Sequence, residues 1–436
     1  MISPRIREEN IFMTIYFDDI VKNLAQAITY DSSQAPAADG MPFGEGAAKC
    51  LDFYLSLAEF LGFETHNYDN YVGEVVWGSG KDFAVLAHID VVPAGSGWTH
   101  EPFGGEIDED NKKIWGRGTM DDKGPAMTVL YAMYALKEEG FVPRRTIKLI
   151  LGCNEEAGWA CIDHYNKVAK MPEEGFSPDA DFPVIYAEKG IMQARFAFAV
   201  PDAHFTGLKG GSRANMVCDY CEVRAQRDDR AIAKLNLIDG LNLKEENGKI
   251  VSRGKSAHGS TPEKGVNAIR AILDYLGLQH IRTALFDECM GLKGLEDETG
   301  KLTLSPDIIE QSGDTIYVTC DIRYPATIGR ERIVAILDAQ GVPYKTEHEQ
   351  APLYNDRNGK LIQTLLGVYN DVTGAKAQPI AIGGGTYARA LKCGAAFGPE
   401  EAGEESTIHQ PDEYITFEKI EKCFKIYKLA LKKLCG

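Results

Sequence analysis

The sequence predicts an α/β domain made from the two ends of the chain around a central, mostly parallel sheet, with an α+β domain inserted between them. Three observations carry this reading. At 436 residues the chain is too long for one compact core. Its first part alternates apolar runs with a helical pattern, the signature of parallel strands joined by a crossover helix. After Gly190 the strands alternate in polarity residue by residue, and long helical patterns return only near the C-terminus. The expected boundaries are 1–192 with 351–436 for the discontinuous domain, and 193–350 for the insert.

Residues 15–30 place Ile15, Ile20, Val21, Leu24 and Ile28 at helical spacing. Pro42 to Gly46 reads as a loop, and Ala47 to Leu61 as an amphipathic helix stopped by Gly62. Tyr71 to Trp77 and Asp82 to Ala87 read as strands, and the continuous Val85-Leu86-Ala87 run suits burial on both faces. Gly124 to Glu139 is a helix with an inner stripe of Met127, Leu130, Tyr131 and Tyr134, and Thr146 to Leu151 is a core strand. In the insert, Gln193 to Val200 alternates with Ala194, Phe196 and Phe198 on one side, and Tyr220–Ala225 and Thr315–Ile322 read alike. Helical patterns lie at Val266–Leu276 and Arg330–Gln340. Lys360–Val372 and about Thr416–Leu434 supply the closing helices, the last with Phe417, Ile420, Phe424, Tyr427 and Leu431 on one face.

The formal net charge of -17 argues against nucleic acid or an anionic membrane as partner, since both would be repelled. No run approaches the roughly 18 apolar residues of a membrane span, and the N-terminus lacks a signal-peptide core. Ten cysteines scatter without a framework spacing, which fits reduced thiols in a cytoplasmic protein. Cys218 and Cys221 form a lone C-x-x-C, read as structural thiols.

The chemistry gathers around WGRGTMDDKG, Trp115 to Gly124. The adjacent carboxylates Asp121 and Asp122 repel each other unless a positive partner sits beside them, and a metal ion is the simplest one. Upstream, AHIDVVP carries His88 and Asp90; downstream, LILGCNEEAG carries Glu155 and Glu156. Each follows an apolar strand pattern, and ligands gather at the carboxyl ends of strands in such sheets. FSPDADFP offers Asp179 or Asp181, between which the residues alone do not choose, and His409 lies in a polar loop near the C-terminus. Two imidazoles with three carboxylates suit zinc, manganese or cobalt better than calcium or copper. They suffice for two ions if one carboxylate bridges. Asp90 is placed to hold the second ring nitrogen of His88. Of the two adjacent glutamates, one can bind metal while the other serves as general base. The Gly383-Gly384-Gly385 loop lacks the Lys-Ser/Thr ending of a phosphate-binding loop.

Together, H-x-D in AHIDVVP, GRG-x-x-DDKG, the NEE pair, the downstream Asp and the late His resemble the M20 metallopeptidase family. HIDVVPAGSGW, FSPDADFP and IGGGTYARAL look most like its PepV-type dipeptidase branch. The resemblance spans nearly the whole chain and is weakest in the insert. It implies a zinc-peptidase-like catalytic domain and a lid. It implies two divalent ions, zinc first with manganese or cobalt as alternatives, bridged by Asp121. His88 and Asp179 would complete one ion and Glu156 and His409 the other. Glu155 would be the general base, Asp90 would orient His88, and the Asp121–Asp122 peptide would be cis. Asn215 in GGSRANMV, His258 in GKSAHGSTPEKG and Arg323 in DIRYP would meet the substrate from the lid. His258 or Asn215 would serve the oxyanion, and Arg323 with the backbone around Gly384 and Thr386 a terminal carboxylate.

The implied reaction is hydrolysis of a dipeptide or short peptide, with a small peptide as the partner. Within the same family an N-acyl amino acid deacylase or carboxypeptidase would share every metal motif, and a non-catalytic metal-bound peptide-binding protein would have no need of Glu155. The family includes both monomers and homodimers in which the lid histidine serves the partner's site, so either state is open. A lid that opens and closes is expected, because a buried site needs an entry route.

Overall fold

Phe83, Ala84, Val85, Leu86 and Ala87 are all fully buried, and this run forms the middle of the main sheet. A computed structural model of the chain describes residues 4–201, 203–238, 240–401 and 403–436, with side chains from residue 16 onward, so Ile15 lies outside the described side chains. The chain divides into two units: Met1–Tyr186 with Asn355–Ile380 and Thr386–Gly436, and Ala187–Tyr354 with Ala381–Gly385.

In the first unit, strand Lys81–His88 pairs in parallel with Arg145–Gly152, and His88 stands opposite Gly152. On its other side it pairs in parallel with Glu174–Ser177, which pairs in parallel with Cys393–Ala396. The antiparallel strands Val72–Trp77 and Glu64–Tyr68 extend the Arg145–Gly152 side. The parallel centre matters for function. Three neighbouring strands end at the same edge, and their continuations carry His88 to Asp90, Asn154 to Glu156, and Asp179.

The crossover helix is Lys123–Glu138. It departs from the expected single inner stripe: every residue from Lys123 to Met133 is buried, and Tyr134 is only half-buried. The cause is its surroundings, since Pro4–Ile28, Phe417–Cys435 and the sheet all pack on it. A helix enclosed this way fixes its N-terminus firmly, and the Asp121–Asp122 pair stands just before that end. Helix Glu45–Phe60 starts two residues earlier than the pattern suggests, and Gly62 follows it with φ 77°, a left-handed conformation that favours glycine.

The second unit is an eight-stranded sheet in which every neighbouring pair is antiparallel. Ala194, Phe196 and Phe198 of strand Gly190–Ala199 point into its core, where helices Ala268–Tyr275 and Arg330–Ala339 cover them. Asn267 caps the first of these helices through the Ile269 N–H. Cys218 and Cys221 are buried in this core, and all ten cysteines are free thiols. Among the described residues, no helix is long and apolar enough to cross a membrane.

Candidate metal centre

The three strand ends and one loop from the C-terminal segment bring the predicted ligands together. His88 is the last residue of its strand and is fully buried. Its Nε2 lies 2.9 Å from Asp121 Oδ1 and 3.6 Å from Asp179 Oδ2. On the other side, His409 Nε2 lies 2.9 Å from Asp121 Oδ2 and 2.9 Å from Glu156 Oε1. Asp121 therefore turns one oxygen to His88, which also faces Asp179, and the other to His409, which also faces Glu156. Potential ligand atoms of His88, Asp121 and Glu156 all lie within 4.8 Å of one another. The Asp121–Asp122 peptide is cis. Burial raises the pKa of Asp181, the alternative to Asp179, and the charge of Lys419 counters this in part.

The residues fit a divalent cation on the structure's own terms. His88 Nε2 is buried and close to Asp121, yet it finds no aligned hydrogen-bond partner. Two groups that crowd together without bonding are aimed at a common point between them. The charges say the same. Burial would lower both imidazole pKa values, but the carboxylates override it. Asp121, Asp179 and Asp90 hold His88 well above its usual value, and Asp121 and Glu156 push His409 up to about 10. Burial, then the neighbouring negative charges, likewise raise Glu155 and Asp179. Carboxylate is in excess here, and a cation is what balances it.

Asp90 contacts both His88 and the glutamate pair. His88 Nδ1 lies 3.0 Å from the backbone oxygen of Asp90, while the carboxylate Oδ1 is farther, at 3.5 Å. The carboxylate instead accepts the backbone N–H groups of Glu155 at 3.0 Å and Glu156 at 3.1 Å. Charge-assisted bonds to two orphan amides outcompete a bond that its own carbonyl already supplies. The Asp90 carboxylate thus holds the backbone of the glutamate turn, and its carbonyl accepts the proton on His88 Nδ1.

The loop holding Asp121 is built on a residue that the sequence reading did not single out. Glu413 is fully buried; its Oε1 accepts Gly118 N–H at 3.0 Å and Met120 N–H at 2.9 Å. Its Oε2 takes Arg117 Nη1 at 2.6 Å, and its backbone oxygen takes Gly116 N–H at 2.8 Å. Burial, then the charge of Asp121, push Glu413 up to about 7. Glu413 lies four residues beyond His409, so one carboxylate ties the loops of two candidate ligands together. A signal existed: an arginine in a Gly-Arg-Gly turn beside a core helix needs a buried acidic partner. Asp412 holds the same loop through Thr99 N–H at 2.8 Å and His100 N–H at 3.0 Å. Lys123, also buried, donates to the carbonyl oxygens of Ala27 at 3.2 Å and Tyr30 at 2.7 Å at the end of the first helix.

The remaining predicted residues sit mainly in the second unit. His258 Nδ1 accepts the Ser260 N–H at 3.1 Å, which leaves the ring proton on Nε2 as an outward donor. Its ring edge reaches solvent, yet the packing around it, and then the charge of Arg323, hold its pKa below the usual histidine value. Asn215 is exposed, and its backbone oxygen accepts Gly259 N–H at 2.7 Å. Arg323 has partners within its own unit. It is buried, with Nε and Nη2 each 2.8 Å from Asp321 Oδ2 and Nη1 3.2 Å from the Gly383 oxygen. Asp321 and Arg323 are two apart on one strand and so share a face, which is why they pair. Gly384 belongs to the same unit. Thr386, in the first unit, caps the short helix Tyr387–Ala390 by accepting Ala388 N–H at 3.2 Å.

The model of peptidase family M20/M25/M40 matches residues 84–433. The chain is 34% identical to the Bacillus subtilis (strain 168) protein named "Putative dipeptidase YtjP", over 96% of this chain and 97% of that one. Among solved structures, human carnosine dipeptidase 1 superposes with a TM-score of 0.59 at 14% identity, covering 98% of each chain. The M20 family metallo-carboxypeptidase Sso-CP2 of Sulfolobus solfataricus superposes with a TM-score of 0.58 at 18% identity, covering 95% of this chain and 98% of that one. At these identities the two structures speak for the fold.

Proposed function

Given that this chain belongs to peptidase family M20/M25/M40, we propose that it is a metal-dependent dipeptidase that hydrolyses the peptide bond of dipeptides or short peptides. The observation that carries this is Asp121, standing 2.9 Å from His88 on one side and 2.9 Å from His409 on the other. The same edge presents Glu155. Asp121 would bridge two divalent ions, zinc first with manganese or cobalt as alternatives. His88 and Asp179 would hold one, and Glu156 and His409 the other. Bound there, the ions supply Lewis acidity and a water of lowered pKa.

The chain's residues do the rest. Glu155 takes a proton from the attacking water and returns it to the nitrogen of the leaving amine, so the net change is one water added across the C–N bond. Asp90 keeps Glu155 and Glu156 in register through their N–H groups. The second unit is read as a lid over residues 193–350, from which His258 or Asn215 would donate to the developing oxyanion. Arg323, paired with Asp321 and bonded to the Gly383 oxygen, would serve a terminal carboxylate together with the backbone around Gly384 and Thr386. Free thiols suit a cytoplasmic compartment. The catalytic assembly is a monomer or a homodimer.

The test is a substrate panel on metal-loaded protein: dipeptides, tripeptides and N-acetyl amino acids. Metal-dependent cleavage of free dipeptides is expected. Cleavage of acetyl substrates alone would replace the dipeptidase reading with an N-acyl amino acid deacylase.

A further inference from the structure

The general base itself has a partner that the reaction scheme leaves unused. Trp159 donates its indole Nε1–H to Glu155 Oε1 at 3.0 Å. Adjacent glutamates need something to send their side chains different ways, because Asp90 holds only their backbones. Glu156 reaches His409, and Glu155 reaches Trp159.

Trp159 is held for this with unusual firmness. Its backbone is left-handed, at φ 65° and ψ 20°, where a bulky side chain is rare. Its N–H bonds the Asn154 oxygen at 2.8 Å, and Asn154 Oδ1 accepts Ala160 N–H at 3.1 Å, so residues 154–160 close on themselves. The indole meets the ring of Tyr387 edge-on at 5.3 Å, and Tyr387 meets the His88 ring edge-on at 6.1 Å. Tyr387 is itself fixed, with its hydroxyl 3.1 Å from Cys161 Sγ. A chain of packed rings thus joins the base to a candidate metal ligand.

We propose that Trp159 is a positioning residue for the reaction: its indole N–H fixes Oε1 of Glu155 as an acceptor, so that proton transfer runs through Oε2. This rests on reading Glu155 as the base. An indole N–H can only donate, so Oε1 remains an acceptor in both protonation states of Glu155. Oε2 gains the proton of the attacking water and loses it to the leaving amine, and the Trp159 bond is kept throughout.

The experiment compares Trp159→Phe, which keeps the ring and removes the N–H, with Trp159→Leu, which removes both, and with Glu155→Ala, all on metal-loaded protein. For Trp159→Phe, kcat is expected to fall by about tenfold or more, the worth of one hydrogen bond to a charged group. KM should stay within about twofold and metal per chain should not change. Trp159→Leu should show the same kcat loss and a lower melting temperature. If Trp159→Phe keeps kcat while Trp159→Leu loses it, the ring matters and the N–H does not, and the proposal falls. A Phe variant that loses metal, or whose kcat and KM move together, also overturns it. If Glu155→Ala retains kcat, the base assignment fails and takes this proposal with it. If Glu155→Ala is inactive while Trp159→Phe is normal, the base reading stands and the Trp159 proposal alone is lost.

Discussion

Replacing Glu413 tests whether one buried carboxylate organises the site. Glu413→Ala removes the acceptor of Gly118 and Met120 N–H and strands Arg117, whose side chain is 2% exposed. Each orphaned amide costs about 1–3 kcal/mol, and a buried arginine left without its partner costs about 3–5 kcal/mol. These losses share one carboxylate and do not add in full, so the lower end, about 5 kcal/mol, is the working figure. That is comparable to the whole stability of many domains, about 5–15 kcal/mol, and the Ala variant is expected to be barely folded. Glu413→Gln is the informative change. It keeps the shape and one acceptor oxygen but loses the charge that meets Arg117 Nη1, a loss of about 2 kcal/mol. In a unit of this size that lowers Tm by about 4–8 °C. Because the 116–121 loop carries Asp121, metal affinity in Glu413→Gln should fall about tenfold. Calorimetry gives both quantities, following the unfolding of the first unit and titrating zinc into metal-free protein. A Gln variant with unchanged Tm and unchanged zinc affinity would refute the reasoning, since the loop would then hold Asp121 without Glu413.

Three further expectations follow from the same structure. Without metal, His409 has a folded pKa raised from 6.5 to about 10, so the stability it contributes is fully present below about pH 6.5 and is lost as pH rises through about 10; thermal unfolding of metal-free protein across that range should show the decline, and a flat profile would contradict it. Zinc binding at pH 8 should release protons as the ion displaces them from His88 and His409, which calorimetry in buffers of different ionisation enthalpy detects, and identical heats in all buffers would contradict it. Gly152→Ala would put a Cβ 2.0 Å from the Tyr387 hydroxyl beside the His88 strand, so it should destabilise by about 1–3 kcal/mol, and a Tm equal to that of the unchanged protein would show that Tyr387 moves freely.

The site was legible in the sequence to the extent that it follows strand ends. His88 and the Glu155–Glu156 pair each sit at or just past an apolar run, and parallel pairing brings such ends to one edge; Asp179 follows the short strand Glu174–Ser177, which no apolar run marks, and only the resemblance chose it over Asp181. His409 follows no such rule. It lies in a polar loop at φ 61°, and only its resemblance to a known motif set marked it. What pattern reading missed was partnership over long separations. Nothing local says that Glu413 reaches back to Arg117 and Gly118. The Trp159 bond to Glu155 spans only four residues but depends on a left-handed turn that periodicity does not show. The helix Lys123–Glu138 looked one-sided because its small residues, Ala126, Ala132 and Ala135, carry little hydrophobic signal, yet they let neighbours close in on every side. The pairing of Asp321 with Arg323 was open to inspection, since period-two spacing puts both on one face of a strand.

The most direct test of the account measures metal content and dipeptide hydrolysis together in the unchanged protein and in Glu155→Ala. The account predicts about two zinc, manganese or cobalt ions per chain in both proteins. It predicts hydrolysis that stops on chelation and returns with metal in the unchanged protein, and a loss of about 100-fold or more in Glu155→Ala, the scale of a missing general base. A Glu155→Ala protein that binds metal and cleaves dipeptides at the original rate would contradict it.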